Sequence, residues 1–212
     1  MMATTHALFG VVLATATATV APEFAPVAFV AGVVGSVFPD FDLYAGHRRT
    51  LHYPVYYAVA ALPAVALAVV APVAETVALA LFLAGAAAHS LMDVLGGGLE
   101  LRPWQAESER AVFDHYRGRW VAPRRWIRYD GAPEDLLVAG VFAAPALAVW
   151  TGPEQTFVAA VLVASAVYAL ARKPLAMLAE RLVPRVPPTL RSRLPERFRD
   201  AGETVPTVRR GD

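Results

Sequence analysis

The chain contains no cysteine, which excludes disulfides and thiolate metal ligands and leaves nitrogen and oxygen as the donors for any bound cation. Charge is scarce too: charged residues make up 17% and hydrophobic residues 57% of the 212 positions. That balance is unlike a soluble globular domain and marks an integral membrane protein. The net charge of +1 says little, but its distribution is informative. No Lys or Arg occurs before Arg48, between Arg49 and Arg102, or between Arg128 and Arg172. Such intervals are where membrane segments lie. A basic stretch is also missing ahead of the first apolar run, and apolar sequence resumes almost at once after it, so no cleaved signal peptide is expected. There is no tandem repeat.

What the chain does have is six apolar runs, at residues 7–20, 24–38, 53–73, 76–95, 136–150 and 156–171. The first two are shorter than the roughly 20 residues an upright spanning helix needs. They read as a helical hairpin in which Gly32, Gly35 and Ser36 let a neighbour approach closely. Pro63, near the middle of the third run, predicts a kink. Residues 96–134 differ in kind, glycine-rich at first and then dense in Arg, Trp and Tyr. They form a cytoplasmic or interfacial loop in which Trp104, Trp120 and Trp126 suit an interfacial belt; no nucleic-acid partner is expected. The expected fold is an all-α membrane bundle of about six transmembrane helices over residues 1–172. A basic tail over 173–212 follows, with an amphipathic helix at 175–183 and a disordered end. The loops at Arg48 and 102–128 and the tail are basic, whereas those at Glu23, Glu75 and Glu154 carry acids only. The chain is therefore expected to be multi-pass in the inner membrane with both termini cytoplasmic.

On that topology the unusual polar residues collect at one side. Residues 38–53, FPDFDLYAGHRRTLHY, place Asp40, Asp42, His47 and His52 close together, and such carboxylates and imidazoles suit a divalent metal. Pro39 ends the preceding apolar segment where the carboxylates begin. The plainer alternative is a polar loop whose aspartates cap the next helix. His89 and Asp93, four positions apart, share one helix face inside an apolar run. An Asp at the centre of a span costs about 2.5–3.5 kcal/mol, which makes a function the default expectation; the alternative is that Asp93 reaches water and His89 bonds a neighbouring helix. His6, at the start of the first span, is a further candidate ligand, whereas His115 has no comparable partner spacing. Arg48 and Arg49 suit an anionic substrate or simple positive-inside anchoring.

Jointly, Thr5-His6, Pro39-Asp40-Phe41-Asp42, His47-Arg48, His52 and His89-Ser90-Leu91-Met92-Asp93 resemble the YdjM-like family of membrane-bound metal-dependent hydrolases. The resemblance covers about residues 1–103 and, more loosely, 126–135. It implies a metal set of His6, Asp40, Asp42, His47, His52, His89 and Asp93. Where the family tends to have Thr-His-Ser, this chain has Leu51-His52-Tyr53, so a hydroxyl beside that histidine must come from Thr50 or Tyr53. The expected function is hydrolysis of a phosphoester or lipid-like ester by a metal-activated water, with one to three divalent ions. Zinc is the first expectation, with manganese or iron as alternatives. Asp40 or Asp42 would act as base or orient a histidine, and Arg48 would neutralise substrate phosphate. The expected partners are membrane lipids and a phosphorylated or lipid substrate. Two rival readings are a metal- or proton-binding transporter and a non-catalytic scaffold whose basic loop and tail bind a partner or anionic lipid.

Overall fold

In a computed structural model, which describes residues 1–199, each of the six apolar runs becomes a helix. These are α1 (Ala3–Val20), α2 (Ala25–Val37), α3 (Pro54–Val70), α4 (Ala74–Leu95), α5 (Pro133–Val149) and α6 (Gly152–Leu182). Prolines in the first turn start α2, α3, α5 and α6, where the missing N–H would have had no helical partner. Neighbours pack in the order α3, α4, α2, α1, α5, α6. The interior is small and apolar, built on Leu8, Val11, Ala28, Ala139, Ala143 and Val158. Large side chains such as Val30, Leu62, Val70 and Leu170 point outward, as a lipid-facing surface requires.

The architecture is that of an all-α membrane bundle. Among the described residues, four stretches are long and apolar enough to cross a membrane: Ala3–Val20, Pro22–Asp42, Ala74–Leu95 and Gly152–Arg185. Helices α3 and α5 have 17 residues each and are shorter. Pro63 lies inside α3 as expected.

Close helix crossings depend on missing side chains. A Cβ on Gly35 of α2 would lie 2.3 Å from the Phe82 carbonyl oxygen of α4, and one on Gly10 of α1 would lie 2.2 Å from the Gly32 oxygen of α2. These glycines bring three backbones together at the level where the polar residues sit.

Two features differ from the sequence expectations. The loop over 96–132 contains an antiparallel hairpin, β1 (Val112–Asp114) with β2 (Arg119–Val121). Strands of three residues are too short to leave a periodic signal. Its flank also caps α4: the amides of Arg124 and Ile127 donate to the carbonyls of Val94 and Leu95 at 2.7 and 3.1 Å, groups a helix end leaves without partners. Secondly, the expected sixth span and the expected amphipathic helix are one continuous helix, α6, with Pro174 inside it. The chain beyond forms the short helices α7 (Pro188–Arg191) and α8 (Glu196–Arg199) and folds back, packing Val183, Leu194 and Phe198 around Leu101 and Trp104. The final segment, expected to be disordered, lies outside the described residues from 200 onward.

Candidate metal centre

A short 3-10 helix, Phe38–Asp42, continues α2 past Pro39 and places Asp42 in the interior. The chain then turns at Gly46, whose φ of 100° is open to glycine, and wraps back around the Asp42 carboxylate. Oδ1 accepts from His47 Nδ1 at 3.0 Å and the Arg48 amide at 3.3 Å; Oδ2 accepts from His52 Nδ1 at 2.9 Å and the Leu51 amide at 3.1 Å. Arg48 adopts φ 61°, a conformation that costs a non-glycine residue roughly 1–2 kcal/mol. It is held there by the Asp42 contact and by the Phe113 amide, which donates to its carbonyl at 2.9 Å.

The second half of the site comes from α4. His89 and Asp93 are buried on the face that crosses α2, and His89 Nδ1 lies 2.7 Å from the Ser36 carbonyl. Asp40, His52, His89 and Asp93 each offer an atom within 4.8 Å of the others. His89 Nε2 lies 3.4 Å from Asp40 Oδ1 and 3.6 Å from Asp93 Oδ2, and His52 Nε2 lies 3.4 Å from Asp93 Oδ2.

Hydrogen placement decides what this cluster can hold. The Ser36 carbonyl only accepts, so His89 must carry its hydrogen on Nδ1; the Asp42 carboxylate imposes the same on His52. In the neutral rings both Nε2 atoms then present lone pairs, and they face each other at 3.1 Å with two carboxylates alongside. With both rings neutral, four electron-pair donors converge, and either a proton on one ring or a cation among them offsets that concentration of donors. The donor types, two imidazoles and two carboxylates, are those of a divalent-cation site, with each imidazole oriented from behind by an acceptor. Residues of this set therefore fit a metal ion.

A family model described as YdjM inner membrane protein matches residues 1–176, which include every side chain just described. The chain belongs to that family. No curated protein and no solved structure matches it. The match covers α1 to α5 and most of α6, while α7 and α8 lie beyond it.

The other expected ligands of this YdjM-family chain surround the four-residue cluster without belonging to it. His6 stacks on His89 with ring centroids 3.8 Å apart, and its Nε2 lies 3.2 Å from Asp93 Oδ1, while its buried Nδ1 has no hydrogen-bond partner. Asp42 and His47 stand one layer out, in the carboxylate cage that orients His52. Burial pushes the pKa of His47 down, and Asp42 offsets this only in part, so the ring is neutral near pH 7. Arg48 is committed inward: its Nε lies 3.3 Å from Asp93 Oδ2 and its guanidinium donates to the Gly97 carbonyl at 2.7 Å. Thr5 contributes by donating to Asp135 Oδ1 at 2.7 Å.

Asp135 stands in the first turn of α5. It is fully buried and also accepts from the amides of Met2 and Gly131 at 2.8 and 3.0 Å, so it ties the start of α1 to the start of α5. Its signal was faint because an Asp in the first turn of a helix ordinarily reads as a cap. The amino group of Met1 lies 2.7 Å from Asp93 Oδ1. Of the four cluster residues Asp40 is the most open, at 22% side-chain exposure, and it lines a cavity of about 460 Å³ together with His47 and Arg48.

Proposed function

We propose that this protein is a membrane-bound metal-dependent hydrolase that acts on a phosphoester or lipid-like ester at the cytoplasmic side of the inner membrane. The observation that carries the reading is the convergence of the two imidazole Nε2 atoms, 3.1 Å apart, with the carboxylates of Asp40 and Asp93, while both Nδ1 atoms are already placed against acceptors. Asp40, His52, His89 and Asp93 would hold the ion, zinc before manganese or iron. A divalent ion held there supplies Lewis acidity, lowering the pKa of water and polarising an ester oxygen.

The remaining work falls to the chain's own groups. Asp42 has both oxygens engaged twice, so it orients His47 and His52 and is not free to accept a proton from water. Asp40 turns Oδ1 toward the cluster and stands on the cavity wall, so its other oxygen is the one placed to take a proton. His47 lines the same cavity with its Nδ1 bound to Asp42, which leaves Nε2 as a second acceptor. Arg48 balances the charge of Asp93 from one side and faces the cavity on the other. In this reading all six long helices cross the bilayer, α3 and α5 as short spans, with both termini cytoplasmic. A transport function would need open polar groups further along the bundle. The buried hydroxyl of Thr15 instead donates to the Val11 carbonyl and accepts from Trp150, offering a passing cation no free ligand.

The test is elemental analysis of detergent-purified protein followed by a panel of phosphoesterase and lipase substrates. Wild type should carry bound divalent metal and hydrolyse at least one ester. The double variant Asp40→Ala/His89→Ala should lose both. Full metal occupancy in that variant would overturn the assignment.

A further inference from the structure

The cavity beside the metal cluster is lined by two polar groups and by apolar side chains. Asp40, His47 and Arg48 make one group, Asp130, Tyr168 and Arg197 the other, and Met2, Leu43 and Ala164 are among the apolar residues. Ala164 and Tyr168 belong to α6, the outermost helix, whose neighbouring Val163 and Val167 are exposed to the lipid side. The cavity is therefore walled by a helix that borders the bilayer.

Among the described residues, charge in the Asp130 group does not balance. The single carboxylate of Asp130 receives the Tyr168 hydroxyl at 2.5 Å, Arg172 Nε at 3.0 Å and, more distantly, Arg197 at 3.6 Å. Arg172 alone neutralises it, which leaves the Arg197 guanidinium in excess. Among the described residues, Arg197 Nε is buried and has no hydrogen-bond partner. A guanidinium that lines a cavity and is not fully matched by a carboxylate is an arrangement that takes an anion. Arg197 sits on α8, beyond residue 176 where the family match ends, so this guanidinium is supplied by the chain's own tail.

We propose that the cavity binds a lipid with a net-anionic phosphate headgroup, and that Arg197 selects it by donating to the phosphate. The apolar lining and the bilayer-facing wall favour a lipid over a soluble phosphate. That the bound lipid is a substrate rests on the hydrolase reading; that it binds does not.

Binding is measured on the full chain in detergent with chelator present, so that no turnover is needed, by native mass spectrometry with dioleoyl phosphatidate and dioleoyl phosphatidylcholine as probes. Wild type should prefer phosphatidate. Arg197→Gln should weaken phosphatidate binding about 10-fold or more, as expected for losing a charged hydrogen bond, with phosphatidylcholine little changed. Arg197→Lys should recover part of the loss. Arg110→Gln serves as the control, because it breaks the 3.0 Å contact with Glu196 that anchors α8 without removing a cavity guanidinium. An unchanged Arg197→Gln, an equal loss in Arg110→Gln, or glycerol 3-phosphate binding as tightly as phosphatidate would each overturn the proposal. If no ester is hydrolysed yet the Arg197 dependence holds, the hydrolase reading fails and the lipid site stands. If hydrolysis is found without that dependence, the reverse is true.

Discussion

Replacing Asp42 with Asn keeps volume and shape but turns one acceptor oxygen into a donor. Each oxygen of Asp42 meets one imidazole N–H and one backbone N–H, so either orientation of the amide places hydrogen against hydrogen. The cheaper orientation aims the amide nitrogen at His47, which can change tautomer because its ring is outside the four-residue cluster. His52 then keeps an acceptor, but a neutral one, and its Nε2 becomes a poorer donor to a cation. Loss of such an orienting carboxylate typically lowers metal affinity 10- to 100-fold, equivalent to about 1.4–2.8 kcal/mol. Zinc affinity of the detergent-purified chain, measured by competition with a fluorescent chelator, reads this directly, and far-UV circular dichroism checks that the bundle remains helical. Asp40→Asn, which alters a cluster member itself, should weaken binding more. Wild-type affinity in Asp42→Asn, or a weaker effect for Asp40→Asn than for Asp42→Asn, would refute the layered assignment.

Two further outcomes follow from other parts of the fold. Gly35→Val would drive a Cβ to 2.3 Å from the Phe82 carbonyl oxygen, forcing α2 and α4 apart. It should cost on the order of 1–3 kcal/mol or more and lower both the melting temperature in detergent and the metal content, whereas a wild-type melting curve would show that the crossing is looser than described. Burial alone would raise the pKa of Asp130, but Arg172, Arg197 and the Tyr168 hydroxyl outweigh it and hold its carboxyl below the ordinary range. A depressed folded-state value stabilises the fold above the unfolded carboxylate pKa of about 4, and that stability is lost as pH falls through the folded value. Wild type should therefore melt higher than Asp130→Asn at pH 7, with the gap closing towards pH 3; a gap independent of pH would remove the ion pairs as its source.

Some of this protein is written in local pattern. The apolar runs located all six helices, and the absence of Lys and Arg over three long intervals marked the membrane-embedded part, because a bilayer excludes charge. Small residues at Gly32, Gly35 and Ser36 foretold a close crossing, and the four-residue spacing of His89 and Asp93 foretold a shared face, since helix periodicity alone dictates both. The family motifs were equally legible, being short and contiguous.

What tertiary structure alone decided is which of the polar side chains are neighbours and which way each ring faces. Seven candidate ligands looked equivalent in the sequence because residue type records what a group can donate, not where it points. Only the packing of α2 on α4 brings the Ser36 carbonyl to His89 Nδ1 and turns its Nε2 inward. Only the loop's return around Asp42 sorts that carboxylate behind His52 instead of beside it. The β-hairpin, the continuity of α6 and the placement of Arg197 at the cavity were likewise invisible, since each depends on contacts between segments far apart in the chain, for which local periodicity carries no signal.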